Sequence, residues 1–253
     1  MNCLRIGILA LIALAWLIGC DDKSTEPNGN EQVNLIAHYP FNGNANDASG
    51  NGHHGTVFGA ALTTDRFGNP ETAYDFDGIN DYIEPIHKLP IVGFPLSVNL
   101  WINTPGNAPE SYQTIYTSDY NDSYVQSYHG FRIMQRFDSN VRVYFAATPG
   151  AGDEATRSVC TNISLPANEW IMLSIVFESP DNMRIYFNGD EKSTYAEGNP
   201  ELTTVRFSDA LDRFGTDYRQ ESRPYFEGKL DDIRIYDRGL TDTEIQEFFN
   251  EGD

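Results

Sequence analysis

Basic residues are scarce in this chain. Its 253 residues include 17 Lys and Arg against 37 Asp and Glu, which gives a formal net charge of -20. A charge of this sign repels nucleic acid and anionic membrane surfaces. The sequence therefore predicts no nucleic-acid partner, and its charge suits an exported domain or one that binds divalent cations.

Motifs of common enzyme families are missing as well. The sequence has no Gly-x-Ser-x-Gly nucleophile elbow, no His-Glu-x-x-His zinc motif and no glycine-rich phosphate loop. His53 and His54 stand in a Gly-rich turn, where a solvated loop is the simpler interpretation and a metal or base role is the alternative. No pattern favours an enzyme, although an enzyme stays open.

The first residues lack acids and form an apolar run. Arg5 supplies a positive charge, and residues 6–18 carry no charge. This run is too short to span a bilayer comfortably and no stop-transfer pattern follows, so residues 1–19 are predicted to be a signal peptide. Residues 17–20, Leu-Ile-Gly-Cys, resemble the lipobox of bacterial lipoproteins. That resemblance implies that Cys20 is acylated, for example with palmitate, and becomes the first mature residue.

Cysteine is rare, with Cys3 and Cys160 as the other two. Cys3 would leave with the signal peptide and Cys20 would carry lipid, so Cys160 has no partner for an intrachain disulfide. We expect Cys160 to be a small buried side chain. Residues 20–34 have one apolar side chain after the cysteine and are predicted to be a tether. The chain is therefore expected to be exported and lipid-anchored to the cell envelope or outer surface, with the lipid as its only membrane contact.

From residue 35 onward, short segments of alternating apolar and polar residues are separated by turn residues. Residues 96–103, 141–146 and 183–187 show this period of two, and residues 170–177 are apolar on both faces, as in a covered central strand. One helix is predicted near the end, where Thr241 and Glu244 form a capping box before an apolar stripe. Residues 35–253 are predicted to be one all-β, two-sheet antiparallel sandwich with one short C-terminal helix.

Six segments, in order, resemble the laminin G-like or concanavalin A-like jelly roll. They are residues 35–41 with 46–56, 74–83, 96–104, 170–177, 185–189 and 228–241. The resemblance implies a jelly-roll fold for residues 35–250, and it does not imply a ligand, since this fold carries enzymes, lectins and adhesion modules. The β-glucanases of this fold use Glu-x-Asp-x-x-Glu, and that pattern is absent here.

Asp231 is a candidate metal ligand. It lies in phase with Ile233 and Ile235, and a carboxylate on the apolar phase must be paired, protonated or bound to a cation. In the resembling sandwiches a structural calcium ties an N-terminal loop to the Asp of the last strand. Carried over, its ligands would be Asp231 with groups from Asp47, Asn51 or Asp77. The alternative is that Asp231 caps a loop amide and Asp47 is a turn residue.

A hairpin over residues 130–147 is a candidate ligand face. With a turn at residues 138–140, Arg136 is predicted to face Arg142, and Met134 to face Tyr144, with Arg132 on the same side. Like charges opposite each other are unfavourable. A carboxylate from a neighbouring strand would relieve them; alternatively, a concave face receives an anionic or hydroxyl-rich ligand there, with Trp101 and Tyr144 as stacking platforms.

Three classes of function follow. The favoured prediction is a surface module that binds extracellular carbohydrate. A module that binds a cell-surface protein, as an adhesion or scaffold domain, is second. A glycan hydrolase or lyase with an unfamiliar set of catalytic residues is third.

Overall fold

The computed structural model describes residues 34–105, 112–122, 127–138, 140–146, 156–202, 205, 207, 210–217 and 225–251. They form sixteen strands in two antiparallel sheets and one helix, in agreement with the predicted jelly-roll sandwich. The predicted signal peptide and nearly all of the predicted tether lie outside the described residues. Among the residues that are described, no helix is both long and apolar enough to cross a bilayer.

The first sheet contains eight strands, and the second contains the other eight. The first sheet has the order β13-β12-β11-β6-β16-β4-β3, with β1 also paired to β16: β1 Leu35–Tyr39, β3 Ala61–Thr63, β4 Ala73–Asp77, β6 Leu96–Asn103, β11 Trp170–Ser179, β12 Asn182–Phe187, β13 Asp190–Glu191 and β16 Glu227–Tyr236. The second sheet has the order β14-β10-β9-β8-β7-β15-β5-β2: β2 Gly55–Phe58, β5 Tyr82–Pro85, β7 Gln113–Asp122, β8 Ser127–Gln135, β9 Asn140–Ala146, β10 Thr156–Ser164, β14 Thr194–Gly198 and β15 Arg213–Phe214.

Strand register separates an apolar face from a polar face in the second sheet. One line of paired residues across the sheet faces the core: Val57, Ile83, Phe214, Tyr116, Ile133, Val143 and Val159. The next line is polar at nearly every strand: Thr56, Glu84, Arg213, Thr117, Arg132, Ser158 and Glu197. Because successive side chains of a strand point to opposite sides, the second line lies on the outer face.

The core fills the space between the sheets. Phe131 of the second sheet and Phe177 of the first have ring centroids 5.0 Å apart. Along β11, Leu173, Ile175 and Phe177 face this core, while Met172 and Val176 are buried on the other side. The prediction that β11 is covered on both faces is confirmed.

One helix, α1 at Asp242–Asn250, provides the cover on the outer face of the first sheet. Thr241 and Glu244 form the predicted capping box. Ile245 and Phe248 are buried against a cluster that includes Met172. The helix is therefore docked on the outer face of the first sheet.

The hairpin of β8 and β9 has a different register from the predicted one. Arg132 pairs with Tyr144 and Met134 pairs with Arg142, while the Arg136 N–H donates to the Asn140 carbonyl. The predicted pairing of Arg136 with Arg142 is therefore wrong by two residues. A shift of two keeps every side chain on its predicted face, because the side-chain period of a strand is two.

Candidate functional site

One carboxylate joins the two arginines of the hairpin. Glu197 lies on β14, where its backbone pairs with Ser158. Its Oε1 is 2.9 Å from Arg136 Nη1, and its Oε2 is 3.6 Å from Arg142 Nη2. Burial lowers the pKa of Arg136, but hydrogen bonds from its guanidinium to Glu197 and to Cys160 raise it above its ordinary value. A partner on a neighbouring strand thus relieves the repulsion between the two arginines.

Two aromatic side chains lie beside the same arginines. Tyr112 Oη accepts a hydrogen bond from Arg142 Nη1 at 2.7 Å. The guanidinium carbons of Arg136 and Arg142 lie 5.9 and 5.1 Å from the centre of the Tyr112 ring. Phe137 is half exposed and meets that ring edge-on, with centroids 6.0 Å apart. We call Tyr112, Arg136, Phe137, Arg142 and Glu197 the Glu197 patch.

Cys160 lies under this patch. It is fully buried, as predicted, and Arg136 Nη1 is 3.4 Å from its sulfur. Burial raises the pKa of the Cys160 thiol, although the guanidinium of Arg136 acts in the opposite direction. The thiol therefore stays protonated at neutral pH, in keeping with a packing role.

Arg132 lies on the same outer face but is closed to solvent. Its side chain is wholly buried, and its Nη1 is 2.8 Å from the buried Asp217 Oδ2. Arg132 pairs with Tyr144 through the backbone, and the Tyr144 side chain lies outside the described part of the structure. In this arrangement Arg132 ties the segment after β15 to the sheet and does not reach a ligand from solvent.

Trp101 lies on the other sheet, which corrects its predicted place beside the arginines. It stands on the outer face of β6 and stacks against Phe249 of α1, with ring centroids 6.0 Å apart. Its exposed fraction is 7%. The alternation of the sequence shows that Trp101 faces away from the core, but it does not show which sheet the strand joins or that a helix covers it.

A second accessible patch on the outer face of the second sheet was missed by the sequence analysis. Phe58 and Tyr82 pair across β2 and β5, and their rings stack with centroids 4.4 Å apart. Arg213 Nε is 2.6 Å from Glu84 Oε2, and its guanidinium lies 4.9 Å from the centre of the Tyr82 ring. No local pattern signals this group, because two-residue β15 meets β5 only in the folded chain. We call these four residues the Tyr82 patch.

A β-bulge changes the predicted facing of Asp231. Leu230 and Ile233 both face the core, and Asp231 and Asp232 stand between them. Asp232 has a φ of 46°, and the register of β16 against β6 shifts at this point. Because of this extra residue, Asp231 points to the opposite face of the sheet from Ile233, so the prediction that both point to the same face is wrong. Both carboxylates lie on the outer face of the first sheet.

Arg66 supplies the counter-charge for this carboxylate pair. Its Nη1 is 2.9 Å from Asp231 Oδ2, and its Nη2 is 3.7 Å from Asp232 Oδ2. The same guanidinium lies 4.4 Å from the ring centres of both Phe67 and Trp101. Charge-assisted hydrogen bonding and cation–π contacts therefore hold the loop between β3 and β4 against β16. A cavity of about 280 Å³ adjoins the pair.

The two carboxylates have opposite pKa shifts. Burial, together with the neighbouring Asp232, raises the pKa of Asp231 to about 7. Burial acts on Asp232 too, but Arg234, His38 and Arg66 outweigh it and lower its pKa to about 2. His38 Nε2 is 2.7 Å from Asp232 Oδ1. Asp231 is thus the member of the pair that takes up a proton first as the pH falls.

The other predicted calcium ligands are engaged locally. Asp47 accepts hydrogen bonds from three backbone N–H groups at 2.9 to 3.0 Å, and these outweigh burial and lower its pKa. Asn51 donates its amide to two carbonyls of β1, and Asp77 accepts from two N–H groups of its own turn. Within the described residues, no three His, Cys, Asp or Glu side chains are placed to hold a metal ion. Calcium at Asp231 with groups from Asp47, Asn51 or Asp77 therefore stays a prediction, and these three side chains would have to leave their local hydrogen bonds to bind it.

The sequence of these strands matches a known family model. A family model described as the concanavalin A-like lectin/glucanases superfamily matches residues 77–246, more than half of the chain. The chain belongs to the concanavalin A-like lectin/glucanase superfamily. The matched range contains strands of both sheets and all of the Glu197 patch, so the patch is part of the superfamily domain and not of an added segment.

Solved structures of this superfamily's jelly-roll shape match most of the chain. The receptor-binding domain of botulinum neurotoxin C/D mosaic serotype has a TM-score of 0.67 at 17% identity, and covers 87% of this chain and 52% of its own. The binding domain of Paraclostridial Mosquitocidal Protein 1 has a TM-score of 0.65 at 18% identity, with 87% and 52% covered. The chain thus spans about half the length of these toxin domains, and such identities show a shared fold.

A third structure matches over its whole length. Domain 4 of AbnA, a GH43 extracellular arabinanase from Geobacillus stearothermophilus, was solved in complex with arabinotriose. It has a TM-score of 0.58 at 21% identity, and 85% of this chain and 98% of that domain are covered. No curated protein sequence matches the chain. The superfamily and its fold are therefore shown, and the ligand has to be argued from the two patches.

Proposed function

We propose that the domain binds extracellular carbohydrate at the Glu197 patch, and that a lipid on Cys20 displays it at the cell envelope. The observation that carries the proposal is the placement of Glu197 between Arg136 and Arg142, next to the Tyr112 ring. About a third of the Glu197 side chain is exposed, so its carboxylate reaches solvent while the arginines hold it.

The chemistry of this patch suits hydroxyl groups. A sugar hydroxyl both donates and accepts, and here guanidinium N–H donors stand next to a carboxylate acceptor. Hydrogen bonds to charged groups are the stronger ones, and an aromatic ring beside them offers an apolar surface to the C–H face of a sugar. Tyr112 and the half-exposed Phe137 provide such rings.

Charge balance favours a neutral ligand over an anionic one. Arg132 is paired with Asp217 and Arg213 with Glu84, while Arg136 and Arg142 share Glu197 and Arg136 also pairs with Asp138 at 3.4 Å. Each described arginine of the outer face therefore has a carboxylate partner, so little positive charge remains to attract an anion. Of the two ligand types expected at this face, the hydroxyl-rich one is better supported.

The comparisons support the proposal at the level of the fold. The AbnA domain that the chain covers almost completely was solved with arabinotriose, so a module of this size and shape accommodates a short glycan. The botulinum neurotoxin domain is named a receptor-binding domain, which supports the second candidate, a protein partner. For this chain, the exposed Phe58 on the Tyr82 patch and Phe137 on the Glu197 patch favour that second candidate, because aromatic residues are enriched in protein interfaces.

A glycan array with the full chain carrying Cys20→Ser tests the proposal. Glu197→Gln should reduce glycan binding at least tenfold, because the acceptor charge is lost. The matched control is Glu191→Gln, an exposed carboxylate on the first sheet, which should leave binding unchanged. If no glycan binds, or if both variants bind like the parent, the carbohydrate proposal is wrong, and capture of a cell-surface protein that depends on Phe58 or Phe137 would support the second candidate. Release of chain ends from polysaccharides would instead show an enzyme.

A further inference from the structure

A surface loop between the sheets has no polar side chain. Residues 90–95, Pro-Ile-Val-Gly-Phe-Pro, lie between β5 and β6. Val92 is 87% exposed, and Pro90 and Pro95 are exposed as well. The surrounding sequence from Pro85 to Pro109 contains no Asp or Glu, although the chain as a whole has a net charge of -20. We call residues 90–95 the apolar loop.

The apolar loop lies next to the point where the N-terminal segment joins the domain. Together with Leu96, it lines a cavity of about 200 Å³ with Ile36 and Asp237. The N–H of Asp237 donates to the carbonyl of Asn34 at 2.9 Å. The start of the described chain and the apolar loop therefore meet at the same end of β16.

The length of the intervening segment keeps that end close to an anchor at Cys20. Residues 21–33 separate Cys20 from Asn34. A chain of this length spans at most about 50 Å when fully extended. A tethered group meets its surface at a high effective concentration, so weak contacts become populated that a free domain would not make.

We propose that the apolar loop rests on the lipid surface that carries the anchor, with Val92 inserted among the headgroups. This inference rests on the proposed lipid anchoring, and it adds a second membrane contact to the lipid, which was expected to be the only one. Exposed aliphatic side chains without a polar neighbour in their own loop gain from leaving water. The lack of acids in the loop removes the repulsion that most of the surface would meet at an anionic leaflet. The lipid contact orients the domain, and the ends of the strands that lie far from the apolar loop then point away from the membrane.

Ile79 offers a matched control for the test. It is 72% exposed and follows β4, where Asp77 pairs with Glu227 at the beginning of β16. The apolar loop lies at the other end of β16, where Tyr236 pairs with Leu35. A strand of that length is about 30 Å long. Val92 and Ile79 are thus exposed aliphatic residues at opposite ends of one strand.

The experiment places an environment-sensitive fluorophore at Val92→Cys or at Ile79→Cys in the full chain, reconstituted into phosphatidylcholine vesicles with and without a lipid-bound quencher. Cys160 is fully buried and stays unlabelled in the folded protein. We expect blue-shifted emission and at least threefold stronger quenching at position 92 than at position 79. Equal quenching at both positions on floated vesicles would overturn the inference.

A second preparation separates this inference from the anchoring proposal. The same labelled chains, with residues 1–20 replaced by a histidine tag, are held on vesicles by a nickel-chelating lipid. Suppose that position 92 contacts lipid in the tagged chain but the untagged chain fails to float with vesicles. That result would contradict lipidation of Cys20 and would still support the affinity of the apolar loop for lipid. Lack of contact at position 92 in the tagged chain contradicts the inference whatever Cys20 carries. Val92→Asp with a label at Gly93→Cys should reduce the blue shift in either preparation.

Discussion

Arg66 Nη1 lies 2.9 Å from Asp231 Oδ2, and the two residues are 165 positions apart in the sequence. This ion pair fastens the loop between β3 and β4 to the final strand. Its carboxylate is almost wholly buried and has Asp232 as its neighbour. The guanidinium therefore occupies the place of the cation that a buried pair of carboxylates requires.

Removal of Arg66 should destabilise the domain strongly. Arg66→Gln leaves Asp231 without its counter-charge, while Asp232 keeps Arg234 and His38. Breaking a buried pair from one side costs about 3–5 kcal/mol. The matched control is Arg184→Gln, since Arg184 is paired with Asp242, whose side chain is 72% exposed. An exposed pair contributes about 1 kcal/mol or less. Urea unfolding should show the larger loss for Arg66→Gln, and equal losses would contradict the role given to Arg66.

The raised pKa of Asp231 predicts a pH dependence with a definite sign. Its pKa is about 7 in the folded state, compared with an ordinary value of 3.8. Between pH 4 and pH 7 the unfolded chain has lost this proton while the folded chain still holds it. The contribution of Asp231 to stability therefore falls as the pH rises through that window. Asp232, whose pKa is lowered to about 2, stabilises the fold above pH 4 and loses that contribution toward pH 2.

Asp231→Asn isolates this effect. The amide resembles the protonated carboxyl, so the variant's advantage in stability over the wild type should be small near pH 4.5 and grow toward pH 7. Asp47→Asn is the control, and it should be less stable than the wild type at pH 7. Backbone N–H groups lower the pKa of Asp47, so its charge stabilises the fold at that pH. Melting curves from pH 4.5 to 7.5 measure both differences. If the wild type gains stability relative to Asp231→Asn as the pH rises, the pKa of Asp231 is not raised by folding, and this prediction is wrong.

Calcium binding at Asp231 stays a prediction. In the structure, the guanidinium of Arg66 occupies the position that the ion would take. An ion at Asp231 would have to displace the guanidinium, so we expect wild-type melting temperatures to agree in EDTA and in millimolar calcium. Arg66→Gln removes that competitor and should gain several degrees with calcium but little with magnesium, which fits irregular cages poorly. A wild type that melts several degrees lower in EDTA would instead support the calcium site that the family resemblance implies, with Asp231 and groups from Asp47, Asn51 or Asp77 as its ligands.

Much of the fold follows from local patterns. The alternation in β6 and β9, the doubly apolar β11 and the capping box of α1 each depend on residues a few positions apart, and each was found in the structure. The Asn188-Gly189 turn also has the positive φ values, 52° and 80°, that such a hairpin requires. Short-range physics determines these features, so the sequence displays them.

The candidate sites depend on contacts that a local pattern does not display. The bulge at Asp231 inserts one residue into a strand, and nothing in the alternation marks where it falls. The partners of the outer-face arginines come from distant strands: Glu197 lies 61 positions from Arg136, and Asp217 lies 85 positions from Arg132. For these arginines, residue type and face were predictable, but the partner of each charge was not.

Arg142 should contribute to both ligand binding and stability. Its guanidinium donates to Ser158 Oγ and Tyr112 Oη and lies 3.6 Å from Glu197. Arg142→Ala should therefore weaken glycan binding and also lower the melting temperature by a few degrees, since partly buried acceptors lose a charged donor. Arg142→Lys should recover stability better than binding, because an ammonium lacks the planar fork. Unchanged glycan binding in both variants would remove Arg142 from the site.

The anchor is the prediction with the simplest readout. Residues 17–20 resemble a lipobox. If the lipid on Cys20 carries the anchoring, Cys20→Ser should abolish labelling with radioactive palmitate and move the protein from the membrane fraction to the soluble fraction or to an unprocessed form. Cys3→Ser is the matched control, because Cys3 would leave with the signal peptide, and it should be labelled and anchored like the wild type.

A single acyl chain gives marginal binding, so efficient anchoring also requires the multiple chains that a lipoprotein cysteine receives or the added contact of Val92. Membrane flotation of Cys20→Ser at the wild-type level would refute lipidation at this cysteine, whatever the glycan array shows.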